Sequence, residues 1–168
     1  MLTDLVQIRL LGEKKRPENE RLRRHMKVRG TNDLILRRIA EEIEEQIDCT
    51  ACANCCRVAT TTIVERDVER LARYLRIKPS QFLKEYTMES EDEGMILKRT
   101  DESGCVFLDG NLCSVYEARP ETCQRYPNLV RGQGSIASRM WQFIDRATYC
   151  PIVYNSLEAF KEELKFRR

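Results

Sequence analysis

Apolar residues recur at helical spacing in three stretches of this chain. Leu36, Ile39, Ile43 and Ile47 predict a helix reaching about Ile47, with Thr31, Asn32 and Asp33 as candidate caps. Val64, Val68, Leu71, Ala72 and Leu75 predict a second near 65–76, which Lys78-Pro79-Ser80 breaks before a short helix around Gln81–Tyr86. Leu157, Phe160 and Leu164 predict a tail helix from about Ser156, with Asn155 as cap and Glu158 three residues on. Ahead of all of them, Pro17 fits the first turn of a helix running to about residue 28 and ended by Gly30, with little apolar face of its own.

The middle of the chain reads differently. Glu89–Gly94 is an acidic loop, and Met95–Arg99 and Cys105–Leu108 fit short strands. Asp109-Gly110 is a tight-turn signal that returns the chain through Leu112–Tyr116 as a hairpin. Arg119–Cys123 reads as a loop opening one helical turn, and residues 134–146 are ambiguous, a strand around Ser135–Phe143 being one option. The class this predicts is α+β and mainly helical: a small metal-stapled domain with a short β-hairpin and N- and C-terminal helices.

Charge refines the division. The 168 residues carry 29 Lys+Arg against 27 Asp+Glu, a net +2, but residues 13–38 hold ten bases and four acids. A basic N-terminal arm over 1–38 and a mildly acidic body over 39–168 are the expected parts. No apolar run approaches the roughly 18 residues of a membrane span, so no membrane partner is expected. The opening segment lacks the order of a signal peptide, which predicts a cytoplasmic protein.

Eight cysteines beside one histidine carry the chemistry. A disulfide framework suits small exported domains, and a bridge within CTACANCC would close almost no loop. Metal ligation is the stronger reading. Cys49-x2-Cys52-x2-Cys55 lets successive sulfurs turn back on one centre, and three thiols at this spacing look like the start of an iron–sulfur site. Zinc, by contrast, takes four ligands in well-separated pairs. Cys56 directly follows Cys55, and adjacent residues diverge, so one of the doublet serves a second metal or packs. The second set is Cys105, Cys113, Cys123 and Cys150, with Arg119 and Arg125 placed to offset thiolate charge. Soft sulfur donors select zinc, copper(I) or iron–sulfur clusters. His25, within Arg23-Arg24-His25-Met26-Lys27, reads as a surface residue outside both sets.

CTACANCC at 49–56, Gly104-Cys105-x-Phe107-Leu108, Cys113-Ser114-x-Tyr116 and Arg119-Pro120-x-x-Cys123 together resemble the YkgJ-type CxxCxxCC cysteine-cluster family. The resemblance covers roughly residues 46–152 and implies a zinc- or iron-chelating domain that uses all eight cysteines, with a 4Fe–4S cluster as one form. Asn54 stands where glycine is expected. Two other function classes stay open. One is an iron–sulfur or zinc enzyme, or an accessory of the protein-methylase type, with Tyr116, Tyr126 and Tyr149 as proton donors or plain core aromatics. The other is a metal-stabilised module whose basic arm binds nucleic acid or a protein partner.

Overall fold

The computed structural model describes residues 1–29 and 33–166. In chain order its elements are α1 (Leu5–Arg29), α2 (Asp33–Glu44), α3 (Cys49–Cys52), α4 (Asn54–Val58), α5 (Glu65–Leu75), α6 (Pro79–Tyr86), β1 (Thr87–Ser90), β2 (Gly94–Leu97), β3 (Arg99–Thr100), β4 (Gly104–Cys105), β5 (Leu108–Asp109), β6 (Leu112–Cys113), a 3-10 turn (Tyr116–Ala118), α7 (Glu121–Gln124), α8 (Ile136–Arg146) and α9 (Pro151–Glu163). The class is α+β and mainly helical, as expected. The chain divides into two units, one from Met1–Asp48 with Pro127–Arg168 and one from Cys49–Tyr126.

The first unit is a bundle of α1, α2, α8 and α9. Residues 1–38 are not an appendage to it, because Ile8, Leu22, Met26 and Leu36 are almost fully buried in its core. α1 starts twelve residues before Pro17, capped by the Asp4 carboxylate, which accepts the Gln7 N–H at 2.7 Å. Pro17 therefore lies inside the helix, on its exposed side. Gly12 is a contact point: a Cβ there would meet the Ala147 carbonyl at 2.6 Å, so α1 crosses the end of α8 backbone to backbone.

Several expected boundaries move. The expected caps Thr31 and Asn32, and the helix-ending Gly30, lie outside the described residues. Asp33 is the first residue of α2, and its carboxylate accepts the Ile136 N–H at 2.7 Å, so it caps α8 instead. Residues 136–146 are helix rather than strand, because Ile136, Met140, Phe143 and Ile144 recur at helical spacing and bury together. The tail helix begins at Pro151, a residue suited to the first turn. Asn155 is thereby freed from capping and clamps Leu2, accepting its N–H at 2.8 Å and donating to its carbonyl at 2.7 Å.

A buried charge lattice ties α1 to α9. The Lys161 ammonium is almost wholly buried and donates to Glu158 at 2.5 Å, Asn19 at 3.1 Å and Glu18 at 3.3 Å. Lys15 reaches the other oxygen of Glu158. Every member is partnered, which is the condition for tolerating charge in a core. His25 is also drawn in: its ring meets Phe166 edge-on at 5.4 Å, half-buried rather than on the surface.

The second unit has a core of Ile63, Val68, Leu71, Ala72, Phe82, Leu97, Phe107, Val115 and Ala118. Phe82, Tyr86 and Phe107 stack at 5.1–6.3 Å between centroids. Its three antiparallel strand pairs are β1–β2, β3–β4 and β5–β6. The expected acidic loop is shorter than its composition implies, since Glu89 and Ser90 pair with Met95 and Gly94. The Asp109-Gly110 hairpin is present, with Asp109 opposite Leu112.

Replacing Lys161 with Met leaves Glu18 and Glu158 facing each other without their shared cation. The expected cost is about 3 kcal/mol, read as a lowered midpoint in urea unfolding with an unchanged slope.

Candidate metal centre

The cysteine-rich helices are built around one backbone feature. α3 and α4 are single-turn helices joined at Ala53, whose φ of 47° and ψ of 13° place it in the left-handed region. The left-handed residue is thus Ala53 and not the adjacent Asn54, which opens α4. Ala53 N–H bonds the Cys49 carbonyl at 2.9 Å, closing the first turn, and Cys56 N–H bonds the Ala53 carbonyl at 3.1 Å. Bending here turns Cys55 and Cys56 onto a helix of their own, away from the run of α3.

Three further segments bring sulfur to Cys56. Gly104, with φ of +74°, packs its bare Cα against α4; a Cβ there would lie 2.6 Å from the Cys56 carbonyl and 2.7 Å from Arg57 Cα. That close approach sets Cys105 beside Cys56. Cys113 is delivered by β6, opposite Leu108. Cys123 sits in α7, held by Asp67, a buried carboxylate that accepts the Glu121 N–H at 3.1 Å and the Val64 N–H at 3.2 Å and pairs with Arg70 at 2.5 Å. Arg70 in turn donates to the Arg119 carbonyl at 3.0 Å, and Thr61 Oγ1 lies 3.8 Å from Cys123 Sγ.

Cys105, Cys113 and Cys123 each feel the charge of Cys56, and Cys55 hydrogen-bonds to Cys56, so these thiols share one neighbourhood. Burial pushes the Cys105 and Cys113 thiols up, and like charge on their neighbours adds to it. Cys123, the most deeply placed, is pushed up to about 12 by burial and by the other three. Cys56 goes the other way, down to about 7, because the Cys55 side chain hydrogen-bonds to it and the Arg57 and Arg119 guanidiniums stand near.

Cys56 lies near Cys105, Cys113 and Cys123 and is also hydrogen-bonded by the Cys55 side chain, so it touches both sequence-derived sets. Cys49, Cys52 and Cys55 remain on α3 and the start of α4, while Cys150, expected with the second set, heads α9 in the helical unit. None of the eight forms a disulfide. Arg119 stacks on Tyr116 at 3.8 Å, and its charge acts to lower Cys56 and Cys113. Arg125 pairs with Glu121 at the surface and takes no such part.

Three residues escaped sequence reasoning. Arg57 donates to the carbonyls of Cys52 at 3.1 Å and Gly110 at 2.8 Å and to the Asn111 side chain, while Asn111 donates to the Ala51 carbonyl at 2.8 Å. Together they staple α3 and α4 to the β5–β6 turn. Asp67 was hidden among the charges of an amphipathic helix, where its only signal was the spacing Val64-x-x-Asp67 of a helix start.

The donor set fits a soft cation. Cys105, Cys113 and Cys123 resist ionising where they sit, and a divalent ion bound to sulfur reverses that by making thiolate the favoured form. Among the described residues, no three Cys, His, Asp or Glu side chains already stand in coordinating geometry, so the sulfurs are gathered but not closed on a point. Four thiolates around a divalent ion carry −2, and Arg57, Arg99 and Arg119 are the cations that act on these sulfurs.

Comparison with known proteins agrees with the chemistry. A family model for CxxCxxCC, described as "Putative zinc- or iron-chelating domain", matches residues 48–151, well over half of the chain. An uncharacterized protein of Methanocaldococcus jannaschii is 33% identical over 86 residues, which span 49% of this chain and 45% of that relative. The alignment thus covers less than half of that protein. No solved structure matches.

Gly104 and Gly110 separate contact from conformation. Both have positive φ, but a Cβ on Gly110 meets nothing within 4 Å. Gly110→Ala should cost only about 1 kcal/mol and keep its metal. Gly104→Ala must also push β4 off α4, and is expected to lose more than half of its bound metal by elemental analysis.

Proposed function

The chain belongs to the CxxCxxCC family of zinc- or iron-chelating domains, and from that premise we propose that Cys56, Cys105, Cys113 and Cys123 hold one metal ion as an all-thiolate site that organises residues 49–126. What supports this reading is the close approach of β4 to α4 at Gly104, which sets Cys105 beside Cys56, together with the electrostatic influence of these two and Cys113 on Cys123. Four protein ligands with no open position describe a structural site rather than a catalytic one. When bound, zinc or iron would supply charge neutralisation and cross-link four segments. The residues of the chain do the rest: Gly104 admits the close approach of β4, Asp67 holds the turn carrying Cys123, and the nearby arginines offset residual negative charge.

The unit needs such a staple. Its strands are two to four residues long and paired only two by two, and isolated hairpins of that size are marginal in water. Metal bound by unfolded thiols has no preformed site, so the binding energy becomes folding energy.

A second reading keeps an iron–sulfur cluster in play through Cys49, Cys52 and Cys55. It is favoured by their x2 spacing alone.

Elemental analysis of anaerobically purified protein, set beside its visible spectrum, tests both. One zinc or one iron per chain is expected, without the broad absorbance near roughly 400 nm of a cluster. Cys105→Ser, Cys113→Ser and Cys123→Ser should each lose the metal, whereas Cys49→Ser and Cys150→Ser should retain it. Several irons with equal sulfide, lost on Cys49→Ser, would replace this reading by the cluster.

A further inference from the structure

The ten bases of residues 13–38 fall into two populations. Lys15, Arg16, Arg23 and Arg38 pair with Glu158, Asp145, Glu13, Glu20 and Glu163, and Arg37 donates to the carbonyls of Val130, Gly132 and Gly134. Lys14, Arg21, Arg24, Lys27 and Arg29 are all exposed and form no ion pair among the described residues.

Three of these exposed bases, Lys14, Arg21 and Arg24, lie on a single stripe. Val6, Leu10, Lys14, Pro17, Arg21, Arg24 and Val28 follow one another at spacings of four or three, the period of one helix face, and all seven are exposed. The buried residues Ile8, Gly12, Asn19, Leu22 and Met26 occupy the opposite face. The stripe is not simply a solvated charge run, because its ends are apolar. Val6, Leu10 and Val28 are 69%, 66% and 84% exposed, and Leu34 at the start of α2 is 73% exposed.

We propose that this outer face of α1 seats the protein on an anionic lipid surface. Charge complementarity supplies the attraction, since each cation near such a surface adds to the binding, and the aliphatic residues at both ends enter the headgroup boundary while lysine and arginine stay with the phosphates. A nucleic-acid backbone would use the cations but has no need of Val6, Leu10 and Val28, and α1 offers no aromatic residue for stacking on bases. The contact is peripheral, consistent with the absence among the described residues of any helix long and apolar enough to cross a membrane. It revises the expectation that membranes play no part, and it is independent of the metal site.

Cosedimentation of the full chain with phosphatidylglycerol vesicles and with phosphatidylcholine vesicles tests this, with a duplex RNA measured in the same buffer. Binding to the anionic vesicles alone is expected, weakening as salt is raised. The triple variant Lys14→Glu, Arg21→Glu, Arg24→Glu should lower it about a hundredfold or more. The pair Leu10→Ser, Val28→Ser, which leaves every charge in place, should lower it about tenfold. All five positions are exposed, so the bundle should fold unchanged, and far-UV circular dichroism checks that. No binding to anionic vesicles, or binding indifferent to either variant, overturns the proposal. So does RNA binding that is tighter than vesicle binding and falls with the charge variant but not with the apolar pair.

Discussion

Half-buried sulfur brought together from α4, β4, β6 and α7 is the constraint on which residues 49–126 turn. A thiolate is costly to bury and several together are costlier, so these thiols stay protonated unless something offsets their charge. The surrounding design follows from that. Glycine at 104 lets backbone touch backbone beside Cys56, and the Arg57 guanidinium spends its donors on carbonyls of α3 and the β5–β6 turn while facing the sulfurs with its charge. Arginine suits this role because its fork reaches several acceptors at once and cannot be neutralised by deprotonation.

What the sequence reveals depends on whether the deciding interaction is local. α2, α5 and α6 are legible because one face of each is apolar at helical period and their ends carry caps or proline. α8 is readable by the same period, since Ile136, Met140, Phe143 and Ile144 stand at i, i+4, i+7 and i+8, but no side-chain cap bond or proline marks its start, and Gly132 and Gly134 precede it as loop signals. Asp33 and Asn155 look like caps of the helices that follow them in sequence, yet each bonds a backbone distant in the chain. A capping side chain names a donor it can reach, and only the fold decides which donor that is.

The cysteine pattern shows the same limit. Their number and spacing announce thiolate chemistry, and the family match agrees. The grouping does not follow from spacing, because it hinges on a left-handed alanine. Alanine enters that region at a cost of about 1–2 kcal/mol, so nothing in the residue type marks position 53 as a bend. Here the conformation is held from outside, by burial of Ala53 and by the helical turns that close on both sides of it. Basic residues 13–38 behave likewise: as composition they are one run, while in the bundle half are spent on internal partners and half remain outward.

The Cys55–Cys56 doublet now has a physical account. Successive residues on a helix diverge by about 100°, and Cys105 on β4 and Cys113 on β6 feel the charge of Cys56. Yet the Cys55 side chain still hydrogen-bonds to the Cys56 sulfur. Such a bond lowers the cost of thiolate at Cys56. The doublet is therefore a pair of interacting thiols rather than two independent ones, and the run Cys49-x2-Cys52-x2-Cys55 leads directly into that pair.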